Sequence, residues 1–105
     1  VFGDGRQTRD FLHVEDVISA MLVAAERKNL AHHVINIGSG RATSVLDLIS
    51  SISSIAGCKL VPNFAEARGG EVRHSRADIS RAANLLDWKP RVTLEEGLTH
   101  LVRGK

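Results

Sequence analysis

His33-Val34-Ile35-Asn36-Ile37-Gly38-Ser39-Gly40, leading through Arg41-Ala42-Thr43 into Ser44-Val45-Leu46-Asp47-Leu48-Ile49, changes character within a few residues. A short β-branched run reads as a strand, Gly38-Ser39-Gly40 as a tight turn, and the segment beyond as a helix. That helix sets Val45, Leu48, Ile49, Ile52 and Ile55 on one face. Ser44 and Asp47 form a capping-box-like pair at its start, and Gly57 stops it. A strand feeding a helix through a glycine turn makes the chain α/β.

Upstream, Val14, Val17, Ile18, Met21, Leu22 and Ala25 recur at three- and four-residue steps, with Glu15 and Asp16 in the first turn and Arg27 and Lys28 in the last. The spacing predicts an amphipathic helix over 14–27. Before it, Gly3-Asp4-Gly5 lies between Val1-Phe2 and Thr8-Arg9-Asp10-Phe11-Leu12, a hairpin or two irregular β segments. Downstream, Lys59 to Phe64 reads as a strand that Pro62 pushes to an edge, and Ala65 to Arg76 as a loop rich in Arg and Gly. Asp78 is placed to cap a short helix through Leu86, which Trp88 and Pro90 close. Thr93-Leu94-Glu95-Glu96 is a capping box opening a last helix, with Leu94, Leu98, Leu101 and Val102 inward. The expectation is one small mixed domain over 1–105, of about four helices and a few short strands.

Composition narrows the function classes. The 105 residues are 43% apolar and 25% charged, and fourteen Lys and Arg against twelve Asp and Glu leave a net charge of +2. Bulk charge therefore disfavours a nucleic-acid partner, although weak nucleotide or nucleic-acid binding through the Arg68 to Arg76 loop stays open. Apolar stretches break well before the ~20 residues of a membrane span, and no basic-then-apolar leader opens the chain. The lone Cys58 supports neither a disulfide nor a cysteine metal cluster. It points to a reducing, cytoplasmic setting. Val rather than Met at position 1 leads us to expect a start inside a longer reading frame or an unusual start codon.

The turn Gly38-Ser39-Gly40-Arg41-Ala42-Thr43 occupies the place of a dinucleotide-binding fingerprint, but Thr43 stands where the third glycine belongs and the next acid past the following strand is the distant Glu66. A capped strand-to-helix turn is the better reading, with its N–H groups free to help hold some anion. The five histidines, His32 and His33 adjacent and His13, His74 and His100 scattered, show no metal-ligand spacing. Cys58 follows a helix end and reads as an inert, half-buried thiol. Arg9 and Arg68 lie in irregular, partly Gly-lined segments where a planar fork can turn toward a ligand, and two such forks would clamp a diphosphate. Glu71 is an acceptor for sugar hydroxyls. Against this stands the plainer reading of solvated arginines in weak surface ion pairs.

The blocks Gly3-Asp4-Gly5-x-Gln7-Thr8-Arg9-Asp10-Phe11-Leu12-His13-Val14-Glu15-Asp16-Val17, Asn36-Ile37-Gly38-x-Gly40, Arg68-Gly69-Gly70-Glu71-Val72-Arg73, Ala77-Asp78-Ile79, Leu86-Asp87-Trp88-Lys89-Pro90 and Leu94-Glu95-Glu96-Gly97-Leu98 occur in that order. Together they resemble the C-terminal part of the extended short-chain dehydrogenase/reductases, the nucleotide-sugar epimerases and dehydratases of the UDP-glucose 4-epimerase type. The resemblance implies a substrate-binding portion whose NAD-holding Rossmann half, with its Tyr-x-x-x-Lys pair, is absent here. By position it assigns Arg9 and Arg68 to the substrate diphosphate and Glu71 to the ribose hydroxyls. Phe11 falls near the nucleoside, where many relatives carry Tyr, and Asn36 is a further contact. Gly69 replaces a proline of the family block, and Glu71 is one methylene longer than the usual Asp.

The chain contains no Tyr. The resemblance therefore implies no catalytic residue, NAD site or metal site here, with NAD expected only in an intact member. The implied partners are a nucleoside-diphosphate sugar and a Rossmann domain supplied in cis or in trans, or self-association through the uncovered face. The alternative is a stand-alone truncated relative that serves as an oligomerising or protein-interaction module. Everything turns on Arg9 and Arg68 converging on one concavity.

Overall fold

The computed structural model describes residues 1–28, 30, 33–70 and 72–104. Among them are four helices and two short strands: β1 (Thr8–Arg9), α1 (Val14–Glu26), β2 (Thr43–Ser44), α2 (Val45–Ala56), α3 (Ser80–Leu86) and α4 (Leu94–Arg103). Strands β1 and β2 pair antiparallel, Thr8 opposite Ser44 and Arg9 opposite Thr43. Two parallel bridges, Phe2 with Ala65 and Thr8 with His74, lay the 65–75 segment alongside the first nine residues.

The helix boundaries follow local chemistry. The Ser44 hydroxyl accepts from Asp47 N, and Gly57 takes the left-handed conformation at φ 71° that ends α2. Thr93 and Glu96 exchange both bonds of the capping box at α4. Helix α3 departs from expectation. Ile79 sits at its N-cap with no side-chain cap, and Asp78 accepts instead from the amide and hydroxyl of Ser80.

Neither expected strand forms a ladder. No N–H from Val34 to Ile37 finds a hydrogen-bond partner among the described residues. The span 59–64 likewise stays outside any strand, and only Ala65 beyond it makes a bridge. A β-branched run specifies an extended chain, but a strand also needs a neighbour at hydrogen-bonding distance. In its place the short pair Thr43–Ser44 joins β1.

The core gathers where α1 meets α3: Ala20, Ala82, Leu86 and Trp88 are buried, with Leu12, Ile35, Ile37 and Ile79 packed around them. Trp88 Nε1 donates to Ser19 Oγ at 3.0 Å, so the indole satisfies its polar edge inside the core. Helix α2 packs against α4. The apolar stripe of α1 faces the other way. Val14, Val17, Ile18, Met21 and Leu22 are exposed, Met21 at 66%, while Asp16 and Ala20 are buried. The period was right and the face was wrong, because α1 is apolar on two sides and Ala20 with half-buried Val23 and Ala24 meets the core. Leu101 and Val102, expected inward on α4, are also exposed, as is Cys58.

These faces give the molecule the shape of a slab, 49 × 36 × 15 Å, little thicker than the roughly 10–12 Å of one helix. Its radius of gyration is 16.2 Å, where a compact chain of this length has about 13 Å. The accessible surface is 7673 Å², against about 5,800 Å² for a globular monomer of this mass. No helix among the described residues is long and apolar enough to cross a membrane.

Candidate functional site

The Gly-rich turn already holds an anion, the side chain of Asp10. Asp10 Oδ1 accepts from the amide and the hydroxyl of Ser39, both at 2.7 Å, and Oδ2 accepts from Gly40 N at 2.9 Å and Ala77 N at 3.1 Å. Burial alone would raise the Asp10 carboxyl, but the Ser39 hydroxyl and the amides of Ser39, Ala77 and Gly40 outweigh it and hold the group below its ordinary value. The turn is also closed sterically. A Cβ on Gly38 would lie 2.6 Å from Ala77 Cβ and 2.8 Å from Asp10 Oδ2. These residues do not fit a dinucleotide pyrophosphate, since the donors such a cradle needs are taken by the chain's own carboxylate.

Arg9, on β1, is half-buried. Its Nη1 donates to Thr8 O at 2.7 Å and lies 3.5 Å from Arg73 O. It lines a cavity of about 380 Å³ together with Asp10, Asn36 and Arg76, so the structure brings Arg9 and Asn36 together. Arg68 opens on a second cavity, of about 130 Å³, with Phe2, Gln7 and Arg73. Its guanidinium lies 3.8 Å above the Phe2 ring. Arg73 lines the Arg68 cavity: its carbonyl accepts from Thr8 N, and its guanidinium grips the Asp4 carboxylate at 2.9 and 3.0 Å. That hydrogen bond, helped by the Arg6 amide, lowers Asp4 to about 2.

The two arginines line separate concavities that share no lining residue, so the expected convergence of Arg9 and Arg68 on one concavity is not seen among the described residues. Phe11 is apart from both, in a third cavity with Arg41, Lys89 and Arg91. Glu71 and His32 lie outside the described residues. Among the described residues no three His, Cys, Asp or Glu side chains gather as metal ligands would. Sequence reasoning gave no role to Phe2 or Asp10 and took Arg73 only as added positive charge near Arg68, not as the partner of Asp4. The signal for Phe2 was an aromatic beside Gly3, which takes φ 70° and lets the chain fold back over Ala67.

A family model for GDP-mannose 4,6 dehydratase matches residues 1–101. The UDP-glucose 4-epimerase of Mycolicibacterium smegmatis is 37% identical over 102 residues, which take in 97% of this chain and 32% of that protein. The crystal structure of a UDP-glucose 4-epimerase with UDP-glucose from Thermotoga maritima superposes with a TM-score of 0.90 at 41% identity, covering 98% of this chain and 33% of that one. The UDP-glucuronic acid 4-epimerase of Bacillus cereus, in complex with UDP-glucuronic acid and NAD, gives a TM-score of 0.88 at 43% identity over 93% of this chain and 32% of that one. The chain thus spans roughly a third of the length of the relatives it matches. Sequence match and superposition agree, and the chain belongs to the GDP-mannose 4,6 dehydratase family, homologous to the NAD-dependent nucleotide-sugar epimerases of the UDP-glucose 4-epimerase type.

Proposed function

We propose that the chain is the C-terminal, nucleotide-sugar-binding portion of an NAD-dependent epimerase or dehydratase and does not complete the reaction alone. The observation that carries this is the seam between its first nine residues and the segment 65–75. Gly3 N donates to Ala65 O at 2.8 Å, Ala65 N to Val1 O at 2.6 Å, Thr8 N to Arg73 O at 2.9 Å and Ser75 N to Thr8 O at 3.1 Å. Arg9 lies on the first of these segments and Arg68 on the second, each lining its own cavity. A diphosphate laid across the seam receives a fork from each.

The Arg68 guanidinium rests on the Phe2 ring. Cation–π stacking at an exposed ring contributes about 0.5–1 kcal/mol, and a charge-assisted bond to phosphate about 1.5–3 kcal/mol. A diphosphate therefore draws Arg68 off the ring and frees the Phe2 face for the nucleoside. Phe11, on another cavity, is left out of the contact set, while Asn36 shares the Arg9 cavity and Glu71 takes the ribose hydroxyls. With no Tyr in the chain, the general base and the bound NAD come from a Rossmann domain in cis or in trans. Its docking face is the exposed stripe of α1, which accounts for the slab shape.

Calorimetric titration of UDP- and dTDP-sugars, with the NAD-holding portion supplied, tests this. Arg9→Ala and Arg68→Ala are each expected to weaken binding by about tenfold or more, and unchanged affinity in both variants overturns the assignment. The same α1 stripe favours a second reading, a stand-alone module that associates through this face. A strictly monomeric, non-aggregating species in sedimentation counts against that reading and leaves the first intact.

A further inference from the structure

We propose that the third cavity, between the turn before α2 and the connection before α4, is a binding site for a small phosphate-bearing anion, distinct from the diphosphate seam. Arg41, Lys89 and Arg91 line this concavity of about 390 Å³. None of the three side chains makes a hydrogen bond or ion pair among the described residues. Half-buried Phe11 and Thr43 also line it, and Glu95 brings one opposing carboxylate. At about 30 Å³ per water the space exceeds what a single atomic ion fills, and it suits a group of two or more phosphates.

Both backbones that carry the cations are pinned from behind. The buried Asp16 carboxylate accepts from Arg91 N and Val92 N, each at 3.0 Å. Asp10 holds Ser39 N and Gly40 N, next to Arg41. Three like charges thus line one hollow against the single Glu95 carboxylate among its lining residues. A polyvalent anion relieves the remaining repulsion, and the two guanidinium forks match phosphate oxygens in pairs. The hollow is concave and local, and the net charge is only +2, so a small ligand fits better than a nucleic-acid strand.

Calorimetric titration of inorganic pyrophosphate into the native-length protein decides this, comparing wild type with R41A/K89A/R91A and with R9A/R68A. The triple variant is expected to weaken pyrophosphate binding more than tenfold and to keep its UDP-sugar affinity. R9A/R68A is expected to do the reverse, so failure here and failure of the seam assignment read out separately. R41K/R91K, which keeps charge and loses the forks, is expected to fall between. Pyrophosphate affinity unchanged in the triple variant overturns the site. Tighter binding of a single-stranded RNA oligomer than of pyrophosphate, dependent on the same three residues, overturns the small-ligand assignment in favour of a nucleic-acid surface.

Discussion

The Asp10 carboxylate and the Gly40 amide, thirty residues apart, meet at 2.9 Å, and through that contact the approach to α1 holds the turn that opens α2. The same side chain also receives Ser39 and Ala77, so one residue joins three segments that share no regular secondary structure. Asp10→Ala leaves the amides of Ser39, Gly40 and Ala77 without an acceptor. We expect a loss of about 3 kcal/mol in stability, from one to three kcal/mol for each stranded donor partly relieved by water. Urea titration of the variant checks this, and a loss under about 1 kcal/mol would show the clamp to be incidental.

Acid sensitivity follows from the same group. Asp4 lies at about 2, lowered first by the Arg73 hydrogen bond, and Asp78 is lowered by the Ser80 hydroxyl and amide. In Asp10 the Ser39, Ala77 and Gly40 bonds overcome the opposing effect of burial. A carboxyl whose folded value lies below its unfolded value of about 3.9 adds stability above that pH and loses it as pH falls through the folded value. Melting temperature is expected to hold steady from neutrality to about pH 5 and to decline between about pH 4 and pH 2. Asp10→Asn should remove part of the decline. A melting temperature that starts to fall near pH 6 would contradict this.

Two glycines make a paired test of packing. A Cβ at Gly38 meets Ala77 Cβ, fixed to the backbone, at 2.6 Å and Asp10 Oδ2, held by the Gly40 and Ala77 amides, at 2.8 Å, whereas at Gly69 nothing lies within 4 Å. Gly38→Ala is expected to destabilise by more than about 2 kcal/mol, since the turn and the Asp10 clamp cannot both keep their places. Gly69→Ala is expected to be neutral or to stabilise by up to about 1 kcal/mol through the unfolded chain. Thermal melts of the two variants should diverge, and equal shifts would contradict the packing described.

Helices were legible in the sequence because their signals are local. Ser44 reaches Asp47 N three residues on, Thr93 reaches Glu96, and Gly57 supplies a left-handed stop. The Val34 to Ile37 run was misread because a ladder depends on a neighbour that sequence pattern does not supply. The ordered motifs point to Arg9 and Arg68. They also contain Asp10 and Arg73, but the contacts of these two and of Phe2 are not legible there, because each partner lies between about thirty and seventy positions away. The orientation of α1 escaped for a related reason: periodicity finds an apolar stripe but not which of two faces the core takes.

That second face yields the last prediction. Met21 and Leu22 are 66% and 61% exposed, while Ala20 beside them is 3% exposed and packs into the core. Met21→Glu with Leu22→Glu should shift stability by no more than about 0.5 kcal/mol per site, because surface changes away from special features rarely do more. Ala20→Glu should unfold the chain, since it would bury a charge against Trp88 and Leu86 with no partner. Burying a Met or Leu side chain contributes about 1.5–3 kcal/mol, so the double variant should weaken docking of whatever covers the stripe by tenfold or more. Sedimentation at several concentrations, with and without the NAD-holding portion, measures that loss. If the double variant still associates as the wild type does, the exposed face of α1 is not the surface through which this chain is covered.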